Sequence, residues 1–220
     1  VDVGTFGSAV DTNALSLSAY GINSLEDENY LKYIFGVSYL DSDIVRKNQG
    51  NTVTQTGDRE GKQIFGSLDF GKEYINDYLI VTPIGSIDGS YTRLNGYKES
   101  GEAALSYNDQ DIKSLMASLG VLIDSDFNLE NSNLKSRVNL EYGKEFASNS
   151  KVVTSYVSDG ESFEYQANNK NRDIYTAGLG LDLKHDQGLT ISTDYERQQI
   201  KGHGFINKFT LSSGFLYKKE

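Results

Sequence analysis

The residue types that most often supply nucleophiles, general bases and thiolate ligands are nearly missing from this chain. It has two histidines, His185 and His203, and no cysteine. His185 adjoins the tight turn Asp186-Gln187-Gly188, and His203 sits in Lys201-Gly202-His203-Gly204, a loop tip. A loop histidine beside a carboxylate could support hydrolysis, but glycines on both sides fit a solvated loop better. No Gly-x-Ser-x-Gly, His-Glu-x-x-His or phosphate-binding loop occurs, so no catalytic residue and no cofactor is expected. Asp41-Ser42-Asp43 and Asp124-Ser125-Asp126 pair oxygens at short spacing. Calcium needs about six to eight ligands and no acidic calcium loop follows, so turn formation is expected at both and no metal site is.

What remains is charge placed with a period of two. At 173–185, Tyr175, Ala177, Leu179, Leu181 and Leu183 alternate with Thr176, Gly178, Gly180, Asp182 and Lys184. Successive side chains of a strand point to opposite faces, so this stretch has one apolar and one charged face. The next stretch repeats the design, Leu189, Ile191, Thr193 and Tyr195 against Thr190, Ser192, Asp194 and Glu196, making the two a hairpin. Val138, Leu140, Tyr142 and Phe146 alternate with Arg137, Asn139, Glu141, Gly143 and Glu145; Phe209, Leu211, Phe215 and Tyr217 close the chain in the same way. Leu15, Leu17 and Ala19; Tyr33, Phe35, Val37 and Tyr39; Ile64, Leu68 and Phe70; Leu115 to Ile123; and one long stretch between Tyr78 and Tyr97 bring the number to nine. Asp69 and Glu73 join the charged set.

Composition agrees. Over 220 residues there are 22 Gly, 15 Tyr, 10 Phe, a single Pro and no Trp, which favours strands and turns in one all-β domain. With 21 Lys plus Arg against 31 Asp plus Glu the net charge is −10, which disfavours nucleic-acid partners. No stretch approaches the roughly 18 apolar residues of a membrane-spanning helix. A barrel strand, however, needs only about 9 to 11 residues of alternating character.

Two architectures make this pattern. In a soluble sandwich the apolar faces meet in a core; in an outer-membrane barrel they face lipid and the charged faces line a wet lumen. Tyr30, Tyr33, Tyr39, Tyr74, Tyr78, Tyr91, Tyr97, Tyr142, Tyr175 and Tyr217 lie near strand ends, as an interfacial girdle requires. Short connections at 75–77 and 186–188 alternate with long polar ones at 46–61 and 98–110, and 148–172 reads as one protruding loop with a hairpin of its own, 152–157 against 163–166. Two stretches fit that parity poorly: 125–134 as a long turn on the short side, and 201–206 as a short loop on the long side.

Leu94-Asn95-Gly96-Tyr97-Lys98-Glu99-Ser100-Gly101, followed by Ala103-Ala104-Leu105-Ser106-Tyr107 and Ser114-Leu115 to Leu119-Gly120, resembles the translocator domain of autotransporters, the type V secretion systems. In that family a strand with a central proline runs into a Gly-Tyr-x-Glu loop, and Pro83, Tyr91, Gly96, Tyr97 and Glu99 reproduce it. Leu15-Ser16-Leu17-Ser18-Ala19-Tyr20-Gly21 and Ala177-Gly178-Leu179-Gly180-Leu181 extend the similarity to nearly the whole chain. The resemblance implies an antiparallel transmembrane barrel of twelve strands, of which about nine to ten fall here: 13–23 as the fourth, 207–219 as the twelfth and 1–7 as the tail of the third. A complete ten-stranded barrel beginning at Val1 is the alternative. Family members end on an aromatic residue, whereas here Tyr217 is followed by Lys218, Lys219 and Glu220.

The implied function is non-enzymatic: a barrel in the outer membrane of a Gram-negative bacterium that anchors a secreted passenger and gives it a route to the surface. Its partners would be its own passenger polypeptide, outer-membrane lipids and the barrel-assembly machinery. Arg137, Glu141, Glu145, Asp182, Lys184, Asp194 and Glu196 would line the lumen. A small structural or adhesion barrel whose extracellular loops bind ligands is the competing function, and a soluble all-β binding domain a third.

Overall fold

Alternation at 173–185 produces a strand with those same bounds, and its neighbours follow suit. The computed structural model describes residues 2–3, 7–47, 53–147, 150–158, 160–167, 172–202 and 204–215. In chain order the strands are β1 (Asp2–Val3), β2 (Ser8–Ser24), β3 (Asn29–Lys47), β4 (Thr54–Lys72), β5 (Tyr74–Ile75), β6 (Leu79–Leu94), β7 (Tyr97–Lys98), β8 (Leu105–Tyr107), β9 (Gln110–Leu129), β10 (Ser132–Glu145), β11 (Ser150–Tyr156), β12 (Ser162–Ala167), β13 (Asp173–His185), β14 (Leu189–Ile200) and β15 (Gly204–Phe215). One antiparallel sheet follows the chain, β1-β2-β3-β4-β6-β9-β10-β13-β14-β15, with β5 on the foot of β6.

A second sheet, β12-β11-β8-β7, is the same wall carried further. Leu94 pairs with Gln110 in β6 and β9, and Tyr97 pairs with Tyr107 in the same register beyond them. Met116 with Glu145 is continued by Tyr107 with Thr154, and Lys144 with Asp173 by Ser150 with Ala167. All of this extension stands at the end where the long connections gather.

Register assigns the side chains of the long strands to two faces, and the unpaired residues 95–96 and 108–109 exchange those faces for β7 and β8. One face carries Leu115, Ala117, Leu119, Val121 and Ile123 on β9, beside Val81 to Tyr91 on β6 and Val138, Leu140 and Tyr142 on β10. Toward the long-loop end that face turns polar at Asp41, Lys62, Arg93, Lys113, Lys144 and Arg197. The apolar stretch is thus nine residues per strand in β9, the length a tilted barrel strand needs to cross a bilayer.

The sheet has no interior. Among the described residues Tyr30 and Ala147 are the only buried apolar side chains, while Leu15 is 77% and Leu119 72% exposed. A sandwich would pack those leucines across two layers, so the soluble reading is set aside.

Several expectations are corrected. The segment 125–134 is not a long turn: β9 continues to Leu129 and β10 begins at Ser132. Most of 46–61 is strand, and 98–110 is the β7/β8 hairpin. Asp41, Asp43, Asp124 and Asp126 lie inside β3 and β9, where extended backbone leaves no turn for them to form. Tyr30 and Tyr97 fall on the charged face, Tyr30 against Gly71 and Tyr97 against Gly57, not in an apolar girdle. His203, Tyr217 and Val1 lie outside the described residues. The hairpin at 152–157 forms as read, with Thr154 opposite Phe163, and the connection after β14 is short.

Pro83 explains one irregularity. β4 pairs with β6 up to Gly71 with Ile84, and pairing resumes only at Tyr74 with Val81 on β5. Proline has no N–H to donate, and the gap in the ladder falls beside it.

Candidate functional site

The charged residues read from the sequence share one face, but they form more than one group. Arg137 of β10 reaches across β13 to β14: its Nη1 donates to Asp182 Oδ2 at 2.6 Å and its Nη2 to Asp194 Oδ1 at 2.9 Å. Gly180 lies between them, and a Cβ there would come within 3.0 Å of the guanidinium and 2.6 Å of the Asp194 carboxylate. The glycine of the Gly178-Leu179-Gly180 pattern is therefore the space in which three strands are tied together.

Glu141 and Glu196 share that face, opposite Gly120 and Lys208 respectively. Lys184, at the short-turn end, faces Asn133 and Thr190 in the ladder. Glu145 is employed differently. Its carboxylate accepts from Ser114 Oγ (2.6 Å) and from the backbone N–H groups of Leu115 (2.8 Å) and Ala147 (2.9 Å), so it fastens the point where β10 gives way to β11.

The motif residues make a second constellation, at the long-loop end of the same face. Gly96 donates its N–H to Asp109 Oδ1 at 2.7 Å, and a side chain there would strike the Tyr107 carbonyl at 2.8 Å. This lets the Tyr97 and Tyr107 rings stack, 4.6 Å apart and 2° from parallel, with the Arg59 guanidinium over Tyr97. Arg59 also donates to the Asn95 carbonyl (2.9 Å) and to Gln110 Oε1 (3.2 Å). Glu99, 1% exposed, receives Arg46 through two parallel bonds, Nε at 2.9 Å and Nη2 at 2.6 Å, and accepts the Leu105 N–H. Tyr91 stands apart on the other face, its hydroxyl donating to Asp111.

These groups lie beyond the apolar stretch, and their ionisation follows from their surroundings. Burial, then the neighbouring Tyr107 and Glu99, pushes the Tyr97 phenol far above the ordinary tyrosine value. Tyr107 is raised for the same first reason, with Glu99 adding to it. The bond to Glu99 holds Arg46 more firmly protonated, while burial lowers Arg59. The Arg93 guanidinium and the Gly96 N–H hold Asp109 below the usual carboxylate range.

Arg46, Gln55, Gly57, Arg59 and Asp109 were not singled out by sequence, and Tyr107 stood only within the stretch that resembles the family. Arg46 and Arg59 lie in what reads as a polar loop, and Arg46 is 53 residues from its partner. Only the Gly-Tyr-x-Glu motif signalled that something had to meet it there.

An antiparallel sheet without a core, with a bilayer-high apolar stretch on one face and ion pairs on the other, is the wall of a membrane-spanning β-barrel. Residues 1–196 match the family model described as autotransporter beta-domain, and the chain belongs to that family. It is similar to the translocator domain of autotransporter NalP from Neisseria meningitidis, with a TM-score of 0.69 and 18% identity over 96% of this chain and 68% of that one. Among curated proteins it is similar to serotype-specific antigen 1 of Mannheimia haemolytica, 24% identical over 148 residues, or 64% of this chain and 15% of that protein. The chain thus spans a small part of that relative's length.

Proposed function

We propose that this domain sits in the outer membrane of a Gram-negative bacterium, anchors its own passenger polypeptide and gives it a hydrated route to the surface. The apolar face of β2 to β15 is the lipid contact. The charged face lines the bore, with Arg137, Glu141, Asp182, Lys184, Asp194 and Glu196 on its wall and Glu145 at its long-loop rim. Inside a bilayer an unpaired strand edge leaves backbone groups unsatisfied at several kcal/mol each, so in the membrane both edges of this sheet are paired and it closes into a barrel. Insertion then depends on the barrel-assembly machinery and translocation needs no chemistry by the barrel itself.

One observation carries this reading: large apolar side chains are exposed along a stretch of membrane height while almost nothing apolar is buried among the described residues. The test is protease shaving of intact cells producing the full-length protein. A passenger digested from outside, with the barrel protected and showing heat-modifiable migration on gels, is the expected result. A passenger retained inside cells whose barrels are correctly folded in the outer membrane defeats it.

A further inference from the structure

Beyond the apolar stretch, the tip of the β7/β8 hairpin, residues 100–104, does not stand free. It lies over the charged face of β3 and β4: Arg46 Nη2 donates to the Ala103 carbonyl at 2.8 Å, and a Cβ on Gly101 would meet the Thr54 carbonyl at 2.9 Å and Gln55 Cγ at 3.4 Å. Ser100 and Thr56 exchange backbone hydrogen bonds at 2.8 and 3.2 Å, seating the tip on β4. Glu99 and Gln55 are both 1% exposed beneath it.

Two opposing contributions meet there. The paired bonds between Arg46 and Glu99 at the root of the tip are of the strong, charge-assisted kind, and the same guanidinium holds the Ala103 carbonyl, so together with the Val157 N–H bond to the Ala104 carbonyl they keep the tip down. Gln55 works against them. Neither the oxygen nor the nitrogen of its amide has a hydrogen-bond partner among the described residues, so the closed arrangement buries an amide that water would satisfy once the tip lifts. Gly101 at the tip has φ +122°, a conformation only glycine adopts readily, and Gly96 lies at the break below it.

We propose that residues 100–104 form a movable cap on the long-loop mouth of the bore, latched by Arg46 and Glu99 and eased open by the stranded amide of Gln55. The proposal rests on the charged face lining the bore. With the latch closed the tip leans into the mouth; a passenger in transit lifts it, and it closes again behind.

The described domain has no cysteine, so Gln55→Cys in the full-length protein on intact cells gives a single buried thiol here whose labelling by a membrane-impermeant maleimide reports lifting. Because this substitution also removes the amide, every comparison is made between proteins that carry it, where the latch alone opposes lifting. Labelling should be slow after export is complete and roughly tenfold or more faster while a passenger carrying a stably folded module is stalled in the bore. Adding Glu99→Gln should speed labelling of the resting protein roughly ten- to a hundredfold, and exchanging the charges, Arg46→Glu with Glu99→Arg, should slow it again. Heat-modifiable migration of each variant shows that the barrel has folded. Equal labelling in stalled and resting protein, or no response to Glu99→Gln, overturns the cap. A passenger that stays protected from external protease while labelling still responds to the latch overturns the translocation reading and leaves the cap standing.

Discussion

Leu119 is the most direct place to ask whether the apolar face touches lipid. It is the middle of the five outward residues on β9, lies between Gly85 and Tyr142 on the neighbouring strands, and is 72% exposed. In water an exposed leucine replaced by arginine changes stability by about 0.5 kcal/mol or less. At the centre of a bilayer the same replacement on a barrel costs about 2 to 4 kcal/mol. At about 1.4 kcal/mol per decade this is roughly a 30- to 1,000-fold loss in the folded-to-unfolded ratio, against about twofold for a water-facing site. The control is Thr210→Arg on the charged face of β15, opposite Asp194, where the new cation meets carboxylates and water and about 0.5 kcal/mol is expected. Equilibrium unfolding of the full-length protein refolded into phospholipid vesicles, followed by heat-modifiable migration, measures both. If Leu119→Arg costs no more than Thr210→Arg, the apolar face does not meet acyl chains.

Arg137→Met removes two ion pairs whose side chains are 22 to 46% exposed, so solvent screening holds the loss to about 1 kcal/mol, and it should shrink further in high salt in the same unfolding assay. Tyr97 and Tyr107 have folded pKa values raised above the ordinary tyrosine value of about 10, so their stack is fully stabilising below that pH and is lost as pH rises through the folded values. Ultraviolet titration should show these two phenols ionising late, and two phenols that titrate with the rest refute the burial argument. Gly57→Val places a side chain where a Cβ would already be 2.8 Å from the Tyr97 ring, and should bring Tyr97 back toward ordinary titration without loss of heat-modifiable migration. Asp109 is depressed, so its hold on the Gly96 N–H is complete above the usual carboxylate pKa of about 3.9 and fades as pH falls below it toward the folded value; amide exchange at Gly96 reports this.

The hairpin of β13 and β14 was legible because each apolar residue there has one destination, the face that meets the bilayer, and period two follows from that. The segments read as loops at 46–61 and 98–110 are strands or strand-like, and their physics explains the miss. Around Asp41-Ser42-Asp43 and Asp58-Arg59-Glu60 both faces are polar, so a strand leaves no alternation to find. At 125–134 alternation was present in Phe127, Leu129 and Leu134, but the density of Asp, Asn and Ser pointed to a turn that is only two residues long. Of the charged set, the tie among Arg137, Asp182 and Asp194 follows from register once pairing is known. The latch between Arg46 and Glu99 spans 53 residues and a break in strand pairing, and no local pattern encodes it.

The length of the strands separates a barrel wall from any other amphipathic sheet. β3 has 19 residues, ~60 Å at about 3.3 Å each, roughly twice what a bilayer requires. On its outward face Leu31, Tyr33, Phe35, Val37 and Tyr39 give way abruptly to Asp41 and Asp43. Its other face shows no such boundary: Lys32, Ser38, Ser42 and Arg46 are spread from one end to the other. A sheet resting on a protein core has a polarity change set by that core, and a free sheet has none. A change on one face only, recurring at Lys62, Arg93, Lys113 and Lys144 and stepping along the ladder from strand to strand, is what an apolar layer of finite thickness outside a wall of tilted strands produces.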